Sequence, residues 1–405
     1  MRRNKGRWIG GVFVLTALLS ACTPKDKGES GPFPANEAPK EEAVQKGPAA
    51  TLVQELPPIQ GREDEEADDE LITAIYISPM LTELIADENA AKGGQANILL
   101  SPMLLWAGAE ELAKAASPEA AEQIRSTILC GNEAEGVQKL LERLEGFGQS
   151  NAGASWTSAG SVWKRESAEL DEINGWVSGA TGAAVTGFAD SDAKGTELFQ
   201  AMDLSFEWAT PYEEKDILES RHFMSGDWNS CTVTMLYSEE ECYFQLSYGT
   251  GFMKDLKGGK LVFFAVMPDK DVALDDYIAL LQTEQTDIVK ALLSPQYGDV
   301  RVQLPEFSVS YDTDLTDALT AMGYDPTQSG FQFADGSSGG LAALRQHVSF
   351  RVERGQCAPN TDKVMKKPSA ETGYPIYLIF DRPFLYGVAD KETGVPIVMG
   401  LASSL

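Results

Sequence analysis

The chain has 405 residues, 43% of them hydrophobic, and a net charge of -28. That length suits one large domain or two small ones, and the hydrophobic content supports a sizeable core. The acidic surplus argues against nucleic acid and against direct binding to anionic lipid, because both need a positive face.

Met1 to Trp8 carry Arg2, Arg3, Lys5 and Arg7, Ile9 to Leu18 form an apolar stretch, and Leu19-Ser20-Ala21-Cys22 closes it. A charged start, a short apolar stretch and small residues before a cleavage point make the secretory pattern. The apolar stretch is too short to span a bilayer core of about 30 Å. Leu-Ser-Ala-Cys resembles the bacterial lipobox. Residues 1–21 are therefore expected to be a signal peptide and Cys22 to carry the lipid. The acyl chains would hold the protein to the bacterial cell envelope, facing the extracellular side, at about 0.8 kcal/mol per buried methylene. Loss of the four basic residues of the leader would take the net charge from -28 to near -32.

Residues 22–70 hold seven of the 20 prolines and the acidic run Glu63 to Glu70. Large apolar residues are scarce, so this segment reads as a disordered tether. The folded region, residues 71–405, opens with a helical pattern from Leu71 that is interrupted or kinked near Pro79. Asn97 to Leu100 is a short buried strand. Ser101-Pro102 and Ser117-Pro118 each start a helix, with Ser as the cap and Pro in the first turn. Ile173, Trp176 and Val177 sit at helical spacing within Leu170–Ala184.

From about Leu198 the period changes. Leu261 to Met267 is a continuous apolar strand ending at Pro268-Asp269. Val300–Leu304 and Phe307–Tyr311 alternate as strands broken at Pro305, and Asp314 to Met322 is a helix stopped by Gly323. Val348, Phe350 and Val352 alternate again. Tyr374–Phe380 and Ile397–Met399 read as the last two strands. Helices first and mostly antiparallel strands later, without an internal repeat, predict an α+β fold.

Ordinary chemistry is not visible. No G-x-S-x-G elbow surrounds a serine, and only His222 and His347 are available as a base. The glycines do not form a phosphate loop. Cys130, Cys231, Cys242 and Cys357 lack C-x-x-C spacing, so neither a metal site nor a cofactor is expected. Export permits a disulfide. Cys231 and Cys242 suit opposite sides of a hairpin, with free buried thiols the equal alternative.

Seven segments, in order, resemble the serpin family. They are Asn97 to Pro102; Ile173-Asn174-Gly175-Trp176-Val177 with Thr181; Ala201, Phe206, Trp208, Pro211 and Tyr212, with Gln200 where Asn is usual; Val233 to Leu236; Leu261 to Pro268; Leu304-Pro305-Glu306-Phe307 with Leu315, Leu319 and Met322-Gly323; and Asp381 to Tyr386 with Gly394 to Gly400. The resemblance covers roughly residues 71–405. It implies a serpin-like fold, with helices around a large central, mostly antiparallel sheet, further sheets, and an exposed reactive-centre loop. It also implies a function without a catalytic site: a monomer that inhibits a serine or cysteine protease by offering the loop as bait. After cleavage, the loop inserts into the sheet and traps the enzyme.

By that resemblance the loop runs from about Gly355 to Gly373, and its hinge comprises Glu353, Gly355, Gln356, Cys357, Ala358 and Pro359. Gly355 and Ala358 suit insertion. Pro359 cannot donate a ladder hydrogen bond and resists a central strand. Asp362 and Lys363 are adjacent, so one of them must face inward. Leu104 stands where the family usually has Ser. Counting from Gly355 places the bait bond near Ser369-Ala370, and counting back from Pro383 places it near Thr372-Gly373. Lys366-Lys367 offers a basic alternative, followed by Pro368. The competing expectation is a non-inhibitory envelope lipoprotein that acts as a binding or structural module.

Overall fold

The computed structural model describes residues 51–55, 68–129, 134–149, 153–165, 171–186, 195–283, 288–328, 330–333, 336–355 and 374–405. The described residues belong to one compact unit.

In chain order the elements are β1 (Thr51–Glu55), α1 (Asp68–Ala91), β2 (Ile98–Leu100), α2 (Pro102–Ala115), α3 (Pro118–Thr127), α4 (Ala134–Gln149), β3 (Ala154–Arg165), α5 (Asp171–Ala180) and β4 (Gly195–Phe206). There follow β5 (Ile217–Met224), β6 (Ser230–Leu246), β7 (Gly249–Asp255), β8 (Leu261–Pro268), α6 (Leu274–Thr283), α7 (Ile288–Leu293), β9 (Gln296–Pro305), β10 (Phe307–Asp314) and α8 (Thr316–Ala321). The small pair β11 (Phe331–Gln332) and β12 (Ser338–Gly339) precedes β13 (Ala343–Val352), β14 (Ile376–Ile379), β15 (Phe384–Asp390) and β16 (Pro396–Ala402).

A five-stranded sheet runs β1-β3-β4-β13-β10. A nine-stranded sheet runs β14-β9-β6-β7-β8-β15-β16-β2, with β5 also on β6. Among the described pairs, only β4/β13 and β9/β14 are parallel. The α+β expectation holds.

Local chemistry explains several boundaries. Ser101 accepts from the Leu104 N–H and Ser117 from the Ala120 N–H, each with Pro in the first helical turn. Pro305 ends β9 and β10 restarts at Phe307. Gly323, at φ 100°, stops α8 in a conformation that favours glycine.

Four expectations need correction. The helix begun at Asp68 continues through Pro79 to Ala91. Within the stretch read as a tether, Thr51–Glu55 is a β-prone run that pairs with β3 at the sheet edge, and the first helix starts at Asp68. The strand list also lacked β15, which lies between the two strands read as final. Cys231 and Cys242 are both free and both on β6, so they cannot face each other across a hairpin. Eleven residues along one strand, at about 3.3 Å each, separate them far beyond disulfide reach.

Candidate functional site

The stretch that the resemblance assigns to the hinge begins where β13 ends. Val352 is the last residue of β13, and the chain passes through Glu353 and Arg354 to Gly355 at φ 70°. No atom lies within 4 Å of a β-carbon built on Gly355, so glycine is favoured there by backbone conformation and not by space. Glu353 and Gly355 are thus placed. Gln356, Cys357, Ala358, Pro359, Lys366, Lys367, Ser369, Ala370, Thr372, Gly373 and Cys22 lie outside the described residues. The chain resumes at Tyr374 and enters β14 of the other sheet.

Two clasps hold the hinge. Trp208 Nε1 donates to the Glu353 carbonyl at 2.8 Å. The Trp208 ring packs edge-on against Phe206, Tyr212 and Phe263, which fixes the donor. Arg354 donates to Glu306 from both Nε and its main-chain N–H at 2.8 Å each, and from Nη2 at 2.5 Å. Burial pushes the Glu306 carboxyl up, but the Arg354 donors outweigh this and hold it below the ordinary carboxylate value. Glu306, Glu353 and Arg354, with Phe307, Ser308, Val352 and Gly355, line a shallow cleft beneath this stretch.

Beside the hinge lies a parallel seam. β4 and β13 pair without a bulge from Glu197↔Ala343 to Leu204↔Phe350. Parallel pairing is slightly weaker per residue than antiparallel pairing. Polar side chains cross or brace the seam. Ser349 Oγ donates to Asp203 Oδ1 across it. Glu197, fully buried on β4, accepts from Arg165 of β3 at 2.9 Å and lies 3.6 Å from Arg345 of β13.

The start of α2 fastens both strands from below. The Ser101 N–H donates to Gln346 Oε1 at 2.7 Å, and Gln346 Nε2 donates back to the Ser101 carbonyl at 3.1 Å. Gln200 Nε2 of β4 donates to the Leu104 carbonyl. Gly108 leaves room for this, since a β-carbon there would meet Gln200 at 2.6 Å. Leu104 itself is buried apolar core. The fastening is thus made by its carbonyl and by Gln200, in place of a side-chain hydroxyl.

One arrangement has no sequence signal. His347 Nδ1 is 2.6 Å from Asp312 Oδ1, and its Nε2 is 3.3 Å from Ser310 Oγ. This is a Ser–His–Asp row, but it lies across the paired strands β10 and β13 and not at a strand-to-helix elbow. It ties the edge strand to its neighbour. Arg165, Glu197 and Arg345 likewise gave no signal, because residues so far apart in the chain meet only through the sheet.

The arrangement can do one distinctive thing. A segment that turned back at the hinge beside β13 would run antiparallel to both β13 and β4. Entering the seam, it would replace one parallel ladder by two antiparallel ones. Each inter-strand hydrogen bond contributes about 1 kcal/mol net.

The family described as serpin (serine protease inhibitor) matches residues 164–404. A serine protease inhibitor of Rattus norvegicus is 26% identical over 270 residues, 64% of this chain and 64% of its own length. Plasminogen activator inhibitor 1 of Sus scrofa is 27% identical over 221 residues, 50% of this chain and 52% of its own length. These matches span less than two thirds of either relative. The thermophilic serpin tengpin, in its native state, superposes with a TM-score of 0.69 at 18% identity, covering 88% of this chain and all of that one. Native protease nexin-1, solved with heparin, gives 0.64 at 16% identity and covers 83% of this chain and all of that one. At such identities the two structures establish the fold alone.

Proposed function

The chain belongs to the serpin family, and on that premise we propose that it inhibits a serine or cysteine protease by trapping it. The observation that carries this reading is the parallel β4/β13 seam beside the Gly355 hinge. In the proposed sequence, the protease nucleophile attacks a carbonyl between about Lys366 and Gly373 and forms an acyl-enzyme. The severed loop then enters the seam before water releases the enzyme. The stable form is the inserted one, so the closed sheet is a kinetic trap. The protein supplies bait and motion and no catalytic group.

The test is a gel with a panel of serine and cysteine proteases. An SDS-stable complex is expected at the summed mass less the fragment that follows the cut, whose new amino group leaves when the acyl bond forms. Clean cleavage between residues 356 and 373, with the protease left fully active, overturns the reading. The second reading, a non-inhibitory binding or structural module, draws on Pro359, Asp362 and Lys363 in the stretch that must insert. That gel outcome is the one it expects.

We further propose export and lipid attachment at Cys22, which would set the domain on the outer side of a bacterial envelope, where foreign proteases arrive. Cys22→Ser is expected to release the protein into the medium. Retention of this variant in the membrane fraction would overturn the anchor.

A further inference from the structure

The Ser–His–Asp row on the β10/β13 pair sits on the face of the sheet turned away from the core. Burial alternates along β10, so Val309 and Tyr311 are buried while Ser308 and Ser310 are exposed and Asp312 is half-buried. The register sets Asp312 opposite His347, Ser310 opposite Ser349 and Ser308 opposite Arg351. Ser310 therefore lies diagonally between His347 and Arg351. Such neighbours are about 7–8 Å apart, within reach of long side chains.

The order of the contacts is that of a nucleophile, its base and the base's support. His347 Nδ1 is 2.6 Å from Asp312 Oδ1. An ionised carboxylate only accepts, so Nδ1 carries the ring proton and Nε2 keeps a lone pair. Nε2 is 3.3 Å from Ser310 Oγ, and the serine hydroxyl donates to it. A tie between strands needs only the His347–Asp312 contact. The serine on the other ring nitrogen completes the triad relation, which is recognised by geometry and not by position in a motif.

The surroundings suit chemistry at Ser310. His347 is 8% exposed, so the base is shielded while the nucleophile is open. Its partner across the seam is Ala201, which packs with Phe199 of β4 and with Ile173 and Val177 of α5. An apolar wall thus flanks the imidazole on the α5 side, and the edge strand leaves the other side to solvent. Arg351, exposed, brings a positive charge to the side of Ser310 away from His347. The oxyanion of a tetrahedral adduct on Ser310 gains from a fixed charge there.

We propose that Ser310 is an acyl-accepting nucleophile and that this face hydrolyses small carboxylic esters. His347 is the general base, Asp312 its positioning residue and Arg351 the counter-charge of the oxyanion. In the first half, Ser310 Oγ bonds to the ester carbonyl carbon while His347 Nε2 takes the hydroxyl proton. The bond from that carbon to the alcohol oxygen then breaks, and His347 passes the proton to the departing alkoxide. In the second half, water attacks the acyl-serine and gives a proton to His347. The acid leaves as that proton returns to Ser310 Oγ. No step uses the loop, so this activity is independent of protease trapping.

The test treats the full-length protein with a fluorophosphonate, which bonds to an activated serine oxygen with loss of fluoride, and with p-nitrophenyl acetate. Peptide masses are expected to place the phosphonate on Ser310. Its rate there should exceed that at other exposed serines about a hundredfold, the scale of a positioned base. His347→Ala is expected to lose that advantage, and free imidazole to restore part of it, a rescue that a merely structural histidine would not show. Asp312→Asn, which favours the wrong tautomer, is expected to slow labelling about as much, without rescue by imidazole. Ser310→Ala, which removes one oxygen at an exposed position, is expected to abolish nitrophenol release. Label spread evenly over the exposed serines overturns the proposal, as does equal labelling of Ser310 in His347→Ala and the parent protein. Ester turnover undiminished in Ser310→Ala overturns it too.

Discussion

Both sheets have buried apolar strands, but they differ in the side chains that brace neighbouring strands. In the nine-stranded sheet, β8, β15 and β16 lie antiparallel and every residue of the three is buried. Phe263, Phe264, Val266, Val388, Ile397 and Val398 fill the space between neighbours. In the five-stranded sheet, β4 and β13 run parallel, and Glu197, Gln200, Asp203, Arg345, Gln346 and Ser349 brace them. Apolar burial is non-directional, but a side chain drawn out of a packed site leaves a cavity that its neighbours fill only in part. A hydrogen bond can be exchanged for another of similar worth. On the inhibitory reading, the sheet that must part thus adds to its buried apolar side chains a set of hydrogen bonds at the seam that an incoming strand can replace. The sheet that must endure carries no such set along β8, β15 and β16.

The largest test of that contrast is cleavage of the loop itself. Insertion adds about one net ladder over the eight register pairs of the seam, from Glu197 to Leu204. At about 1 kcal/mol per bond and about 2 °C per kcal/mol, the melting temperature should rise by about 15 °C. A cleaved protein that melts where the intact one does would show that the seam stays shut.

Phe264→Ala, in the enduring sheet, should cost about 3–5 kcal/mol in denaturant unfolding, intact or cleaved alike. Gln346→Ala removes both bonds to Ser101 and should cost about 1–3 kcal/mol in the intact form, with little effect after cleavage. It should also hasten loss of inhibition on prolonged warming. Equal losses for this variant before and after cleavage would erase the distinction between the sheets.

The smallest effect is acid release of the hinge. The Glu306 carboxyl lies below its ordinary value of 4.5, so its contribution is present above that pH and is lost as pH falls through the folded value. The pair is partly exposed, so the effect should stay under about 1 kcal/mol. Protease digestion at Arg354 should quicken in the parent protein as pH falls through the depressed Glu306 value, and Glu306→Gln should digest quickly at every pH.

Much of the fold was legible because it is written locally. Leu261 to Met267 admits no polar face, Ser-Pro pairs start α2 and α3, and Pro305 separates β9 from β10. β15 was hidden by Gly387 and Asp390, both of which are there for packing. A β-carbon at Gly387 would lie 2.5 Å from the Val398 carbonyl oxygen. Asp390 is fully buried because Arg143 reaches it at 2.7 Å and Thr393 caps it at 2.6 Å. The seam was less legible. Gln200 stood out only as a departure from a motif, and its partner is a carbonyl, which carries no sequence signature. Glu197 is paired by position in a sheet and not by spacing in the chain.

The placement of β16 bears on how the molecule is made. Its neighbours are β15 and β2, and just beyond it the Ser403 N–H donates to Asn97, 306 positions away. Such distant pairing makes closure slow, because the entropy of a long loop must be lost before any contact rewards it. β2 therefore waits, unpaired on that side, until almost the whole folded unit has been synthesised. A chain that cannot complete its main sheet early stays threadable while it is being made, and its folding clock starts only once residues near 400 arrive.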